Sequence, residues 1–524
     1  MHKKTAGKGA FMAIKIDDLN IYEIYPTSFY DSNGDGVGDL IGVIEKLDYV
    51  KDLGVNAIWF NPFYKSEFAD GGYDVVDYYK VDERFGTNED FARLAAECKK
   101  RGLKVIIDMV IGHTSEKCQW FLDSCKAERN ERSDWYVWTT DIFASDDRCI
   151  ANPKERDGCY RINYYITQPA LNFGFDRVDK NKPWQWHYTD PRLKPLREEL
   201  VKMMKFWCAL GADGFRCDMA LSLVKNLSSY APIAWVWERL IGGVREEYPD
   251  TIFFAEWGNP AVSVGESFFN LDYLTHEIPE YNQLIRNEKG MNIAPYYERG
   301  YNYFSEEGKG EIQPFLEYFY KTEEKIKGKG AYVFDSGNHD LVRISEGKSE
   351  RLLKVIYAFM YTWKTVPMLY YGDEIGMKYA RGIHKDGGST RTGARTPMQW
   401  TDGRNRGFST AAAKDLYLPV DGSEISVEAQ AARADSLYYT VKKLIKLHKS
   451  FPYSAEVRVK EAGYPFVYER ITADGAYTVF LQPAARAAAY EVAFDEVIDC
   501  ENCTVLNGKI TTDGVGYAIV LKKA

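Results

Sequence analysis

The chain has 524 residues, 45% of them hydrophobic, with a formal net charge of −9. That length buries a sizeable core, and at roughly 100–200 residues per domain it predicts two to four domains unless one is a large α/β barrel. The acidic balance argues against nucleic acid or an anionic membrane as partner.

Aromatic residues reach 15%, with 38 Tyr and 12 Trp. That excess suits a surface that stacks on sugars, although a large core also uses aromatics. The opening "MHKKTAGKGAFMAIKIDDLN" is basic but has no apolar signal region, and Met12 reads as a second start site. No run approaches the ~18 apolar residues of a membrane helix, so the expected compartment is cytoplasmic. Nine scattered Cys read as reduced thiols, and the lone CxxC of Cys500 and Cys503 lacks the second pair a metal site needs.

In chain order, "IYEIYP" (21–26) predicts a strand, followed by the polar loop "DSNGDGVGDL" (31–40). Oxygen side chains at Asp31, Asn33 and Asp35, then Gly36, resemble the start of an EF-hand loop, but Gly42 stands where its bidentate Glu belongs. A failed EF-hand, a different calcium site and a merely polar loop all remain open. Leu40, Val43, Ile44, Leu47 and Val50 share one helical face, with Gly54 as a stop. "AIWFNP" (57–62) predicts a strand, 88–102 a helix with Asn88 as N-cap, and "KVIIDMV" (104–110) a strand buried on both faces. This rhythm implies parallel strands joined by right-handed crossovers.

Residues 114–176 break the rhythm and read as an inserted subdomain. Alternation resumes with a helix at 196–211 and strands at 214–218, 252–257, 269–274 (the weakest), 331–336 and 366–372. Eight such strands predict an α/β (β/α)8 TIM barrel spanning 12–113 and 177–452. After the helix at 436–451, "PFVYERI", "AYTVFLQ" and "YAIVLK" predict a C-terminal antiparallel β-sandwich domain over 453–524.

Three carboxylates end different predicted strands: Asp218 in "GFRCD", Glu256 in "FFAEW" and Asp340 in "FDSGNHD". The C-terminal rim of a barrel is where active sites form. Paired carboxylates hydrolyse a glycosidic bond, one acting at the anomeric carbon while the other protonates the leaving oxygen. Arg216, two residues before Asp218, would keep a nucleophile ionised, and Trp257 would give Glu256 an apolar wall.

"DMVIGHT", "GFRCD", "AEW" and "NHD" resemble, in order, the four short regions of the α-amylase family of glycoside hydrolases. The resemblance extends over nearly the whole chain. It implies Asp218 as nucleophile, Glu256 as general acid/base and Asp340 as transition-state carboxylate, with His113, Arg216 and His339 holding the sugar at subsite −1. "ADGGYDVVDY", "QPALNF" and "ARTPMQW" narrow it to the oligo-1,6-glucosidase, α-glucosidase and trehalose synthase branch. That branch implies Asp70 and Arg395 clamping the non-reducing end, with Tyr73 stacking beneath the ring. It also implies that the first loop holds a structural Ca2+ or Mg2+ on the side chains of Asp31, Asn33, Asp35 and Asp39 and the Val37 carbonyl.

Three positions depart from the pattern. Gly112 replaces an Asn that binds calcium in calcium-dependent α-amylases, so that calcium site is expected to be absent. Ala170 stands where "QPDLN" is usual. Met219 fits neither the Val that goes with α-1,6 cleavage nor the Ala or Thr of α-1,4 enzymes. The expected function is a retaining α-glucosidase acting on short gluco-oligosaccharides from the non-reducing end. The alternatives are a transglycosylase or isomerase of the trehalose synthase type, an endo-acting α-amylase, and a non-catalytic relative, which the three carboxylates argue against. No organic cofactor is expected, and the oligomeric state is left open.

Overall fold

The computed structural model describes residues 16–140, 148–152, 154–274, 278–287 and 300–524. Met12 and the first residues of the expected barrel lie outside these, as do 141–147 and 153 of the inserted segment.

Eight strands close on themselves: β1 (Ile21–Ile24), β2 (Ala57–Phe60), β3 (Lys104–Met109), β4 (Gly214–Cys217), β5 (Ile252–Ala255), β6 (Leu271–Tyr273), β7 (Ala331–Asp335) and β8 (Val366–Tyr370). Each pairs in parallel with its chain neighbours, and β8 returns to β1. The expected (β/α)8 barrel is therefore the fold. Every strand ends one or two residues before its predicted C-terminus, because the residues beyond leave the ladder to line the barrel mouth.

Helix α1 (Leu40–Leu53) buries Leu40, Val43, Leu47, Val50 and Leu53, while Ile44 is only partly covered. It starts on the Asp39 carboxylate, which accepts from the Gly42 N–H, and stops at Gly54 in the left-handed region at φ 106°. The N-cap of α2 (Asn88–Lys100) is Thr87, in a reciprocal capping box with Asp90, and not Asn88. Asn88 lies one residue inside the helix. Its amide instead accepts from the Val81 N–H and donates to the Tyr79 carbonyl, tying the helix to the strand before it.

The segment between β3 and β4 forms a short helix, Gln119–Ser124, and a three-stranded antiparallel sheet. At the C-terminus a five-stranded antiparallel sheet faces a three-stranded one across Val467, Phe480, Ile510, Ala518 and Val520. Among the described residues, no helix is long and apolar enough to cross a membrane. All nine cysteines are described and none is in a disulfide.

Candidate active site

Strand periodicity decides which residues reach the barrel interior. Ile21, Trp59, Ile106, Phe254, Tyr273, Val333 and Met368 pack together on the axis, while Tyr22, Ile24, Ile58, Phe60, Ile107 and Phe253 pack outward against the helices. Side chains two apart share a face. The next inward layer toward the C-terminal rim therefore holds Glu23, Asn61, Asp108, Arg216, Glu256, Asp335 and Tyr370, and Asp218 follows Arg216 by the same step. An apolar plug below and a polar layer above is what a barrel active site needs.

Arg216 organises this layer. It is fully buried, and its Nη1 donates at 2.9 Å to both Asp108 Oδ1 and Asp218 Oδ1. Its Nη2 donates to the Tyr273 hydroxyl and lies 2.8 Å from Glu256 Oε1. Glu256 also accepts from the Tyr273 hydroxyl at 3.1 Å and from the Met219 N–H at 2.8 Å. To aim that N–H, Met219 takes φ 40°, a left-handed conformation unfavourable for a side chain with a Cβ. Burial and the neighbouring Glu256 carboxylate raise Asp218 well above the usual carboxylate range, with Arg216 opposing. Burial thus outweighs Arg216, expected from the sequence to keep Asp218 ionised. Asp108 is pushed up to about 6 by burial, against the pull of Arg216.

The parity that turns Glu256 inward turns Trp257 outward, into the cluster beneath the helices, where it meets Tyr230 and Phe269. Trp257 is therefore not the wall expected against Glu256. The turn it begins is held from β6, where Asp272 accepts the N–H groups of Trp257, Gly258 and Asn259.

A second cluster surrounds Asp340. Its Oδ1 accepts from Arg395 Nη2 at 2.8 Å and Arg391 Nη1 at 3.1 Å, and His339 Nε2 lies 3.4 Å from Oδ2. Burial works against the charge, but His339, Arg391 and Arg395 together hold Asp340 well below the usual range. Arg391 Nη2 also donates to Asp70 Oδ1 at 2.9 Å, and Gln168 Nε2 donates to Asp70 Oδ2 at the same distance. The cation paired with Asp70 is thus Arg391. Arg395, expected with Asp70 to clamp the sugar's non-reducing end, donates to Asp340 and to the His339 carbonyl. Tyr73 stacks on His339 with ring centroids 5.2 Å apart, and its hydroxyl donates to Asp108 Oδ2.

His113 is buried with Nε2 3.0 Å from the Tyr73 carbonyl, so Nε2 carries the hydrogen. Its Nδ1 faces Asn163 Nδ2 at 3.2 Å, and burial pushes the ring down to about 4. A Cβ on Gly112 would lie 2.9 Å from that same Asn163 amide nitrogen. The side chain missing from position 112 is thereby replaced by an amide from the inserted segment. Buried Ala170 bridges to the backbone of His113.

Asp108, Arg391, Gln168, Asn163, Asn61 and Tyr273 were not singled out as site residues by sequence. Asp108 was open to the parity argument, since it stands two residues after inward Ile106. Arg391, four residues before Arg395, lies in an irregular 3-10 stretch, Ser389–Ala394, whose sequence gives no face to predict.

The 31–40 loop stands apart from this chemistry, and its oxygens are already engaged. Asp31 Oδ1 accepts from the N–H groups of Asn33 and Gly34, and Oδ2 from the Gly36 N–H and the Ser409 hydroxyl. Those bonds use the roughly four lone-pair directions of a carboxylate. Asp39 caps α1 and also takes the N–H and hydroxyl of Ser32. Asn33 and Asp35 oxygens accept from the N–H groups of Asp35 and Val37. No cluster of three or more His, Cys, Asp or Glu residues suited to a metal occurs among the described residues. The side chains expected to ligate Ca2+ or Mg2+ thus all accept hydrogen bonds within and around the loop, and among the described residues Asp35 Oδ2 keeps its lone pairs free of such bonds.

Paired carboxylates at a barrel's C-terminal rim place the molecule among barrel enzymes that act on glycosidic bonds. The model of the α-amylase catalytic domain matches residues 23–455, and the chain belongs to this family of glycoside hydrolases. It is 29% identical over 481 residues to the glucan 1,6-alpha-glucosidase of Streptococcus pneumoniae serotype 4, covering 82% of this chain and 83% of the relative. It is also 29% identical to the oligo-1,6-glucosidase of Parageobacillus thermoglucosidasius, with 82% of each chain covered. Identity is 30% to the trehalose synthase/amylase TreS of Mycolicibacterium smegmatis, over 79% of this chain and 73% of that one. The fold is shared with an inactive MutB double mutant in complex with isomaltulose. The TM-score is 0.79 at 24% identity, over 96% of this chain and 98% of that one.

Proposed function

We propose that the protein is a retaining α-glucosidase that removes glucose from the non-reducing end of short gluco-oligosaccharides through a covalent intermediate on Asp218. The observation that carries this reading is the single guanidinium of Arg216 bonded to both Asp218 and Glu256. Glu256 also acts on Asp218 through its charge and a side-chain hydrogen bond, and carboxyls that close leave little room for the water of an inverting enzyme and suit a retaining one.

Glu256 as general acid gives a proton to the glycosidic oxygen as the bond to C1 breaks. Asp218, left as the anion against Arg216, bonds to C1 and releases the aglycone. Glu256 then takes a proton from water, which attacks C1 and frees glucose and Asp218. Asp340 is held ionised beside His339 to bind ring hydroxyls of the strained sugar. Asp70, Gln168 and Arg391 form a charged end to subsite −1, which favours exo-action. Tyr73 and His113 complete the walls.

Incubation with maltose, isomaltose, panose, sucrose, trehalose and maltotetraose, with product identification, tests this. Glucose is expected as the first product from maltotetraose. Maltose with maltotriose would mean endo-action, and trehalose from maltose an isomerase, as the similarity to a trehalose synthase also allows. Asp218→Asn is expected to abolish turnover while leaving the thermal unfolding transition in place; substantial residual activity would overturn the nucleophile assignment.

A further inference from the structure

Glu23 is a buried acid that this reaction scheme does not use. Its parity on β1 points it to the barrel axis, level with Trp59 on one side and Tyr370 on the other. It is fully buried, and Oε1 lies 2.8 Å from His339 Nδ1 and 3.4 Å from the His339 N–H. Oε2 has no hydrogen-bond partner among the described residues. Burying a carboxyl against so few partners is costly.

The hydrogen bonds around the ring have one consistent direction. The Tyr73 hydroxyl donates to Asp108 Oδ2 at 2.9 Å, so toward His339 Nε2, 2.7 Å away, the same oxygen accepts. Nε2 therefore carries a hydrogen, which also faces Asp340 Oδ2. Burial disfavours the imidazolium, which leaves Nδ1 as an acceptor. Burial likewise keeps Glu23 protonated, making it an O–H donor. The Asn61 amide nitrogen also lies 2.9 Å from Nδ1 and 3.2 Å from the Tyr73 hydroxyl. The same amide also bonds to the Glu23 carboxyl, so Glu23 and Asn61 together face the one Nδ1 lone pair.

We propose that Glu23 is a positioning residue: its carboxyl fixes His339 as the Nε2–H tautomer, so that the ring presents a donor between Tyr73 and Asp340, where subsite −1 binds its sugar. The role in turnover rests on the reading of that site given above, whereas the tautomer does not. The chain runs from Glu23 through His339 and Tyr73 to Asp108, and ends on Arg216, the arginine that also holds Asp218.

Two-bond 15N correlation spectra of the full-length, histidine-labelled protein read the tautomer, with the His339 signals identified by their loss in His339→Gln. Wild type is expected to show Nε2–H. Glu23→Gln, whose amide also donates, should keep that pattern and hold kcat/KM on an aryl α-glucoside within about threefold. Glu23→Met should let the Nδ1–H form appear and lower kcat/KM about tenfold, the loss expected for one buried hydrogen bond. A proton on Nδ1 in wild type overturns the proposal. So does an unchanged Nε2–H signal with unchanged kcat/KM in Glu23→Met, since Asn61 alone would then suffice. Should Glu23→Met not unfold cooperatively, the wild-type and Glu23→Gln spectra decide: both must show Nε2–H. If no α-glucoside is cleaved by wild type, the functional reading fails while the tautomer remains readable.

Discussion

Arg391 joins the two carboxylates that we read as gripping the substrate. Its two Nη atoms reach Asp340 and Asp70, and its side chain is 18% exposed, so it sits at the edge of the pocket. Charge-assisted bonds contribute about 1.5–3 kcal/mol each. Removing both leaves Asp340 with Arg395 and His339, and the Asp70 carboxylate with the Gln168 amide. Arg391→Ala is expected to lower kcat/KM on maltose by roughly tenfold to a hundredfold, mainly through KM, because Asp218 and Glu256 keep Arg216. Steady-state kinetics check this, and a fall confined to kcat would place Arg391 in the chemical step instead. Glu374 carries a different consequence. Burial pushes it up to about 7 even though the hydroxyls of Tyr22 and Tyr49 donate to Oε1. Between its unfolded value near 4.5 and about 7 the native state holds a proton that the unfolded chain has lost. Its contribution is therefore full below pH 4.5 and lost as pH rises through 7, by on the order of 3 kcal/mol. Glu374→Gln, which keeps the acceptor and removes the titration, is expected to raise Tm at pH 8 relative to wild type and to leave the difference near zero at pH 4.5. An equal shift at both pH values would refute the linkage.

At the scale of the element, the 31–40 loop is a hydrogen-bonded cap at the start of α1. Asp31 gathers three N–H groups and the Ser409 hydroxyl, pinning the loop to a segment nearly four hundred positions away. Asp31→Ala strands those donors in a buried setting and is expected to cost about 2–3 kcal/mol. EDTA shows whether an ion adds to these bonds: a drop in wild-type Tm that is absent in Asp31→Ala means that it does, and an unchanged wild-type curve that the hydrogen bonds alone hold the loop. The same loop shows what a single sequence encodes. Acidic spacing marks a polar loop, but hydrogen-bond partners such as Ser409 come from distant chain, so ion binding and self-satisfaction look alike. Strands were legible because apolar runs and the period of two are local. Asp218 and Glu256 were legible because they continue a strand. Arg391 was not, because its stretch follows no period. That Arg391 reaches Asp70 while Arg395, four positions on, reaches Asp340 is settled only by tertiary packing. Trp257 was misjudged by adjacency in sequence, since neighbours on a strand face opposite ways.

Across the whole molecule, the C-terminal sheets are joined to the barrel by one core. Phe466, Tyr468, Tyr477, Val479, Leu481, Tyr517 and Ile519 belong to the same buried cluster as the barrel's outer helices, while alternate residues Val467, Phe480 and Ala518 face the smaller sheet. The contact centres on Trp363, which meets Phe466 and Tyr468 edge-on or tilted at 5.7 and 4.9 Å between ring centroids. Arg470 is buried beneath it and donates to the carbonyls of Thr362 and Pro452. A chain ending at residue 452 would lose every one of these partners. Phe359 and Trp363, both fully buried and both against Phe466 and Tyr468, would then join an exposed apolar patch of a kind monomeric proteins rarely tolerate. The thermodynamic loss is equally large, since each aromatic side chain buries on the order of 150–250 Å². Such a truncation is therefore expected to accumulate as aggregate, although every carboxylate of the proposed active site lies before residue 452. Soluble expression and light scattering of the truncated chain check this. A monomeric, active product would mean that the barrel folds without the sheets, and that the shared core is an addition to its stability and not a condition of it.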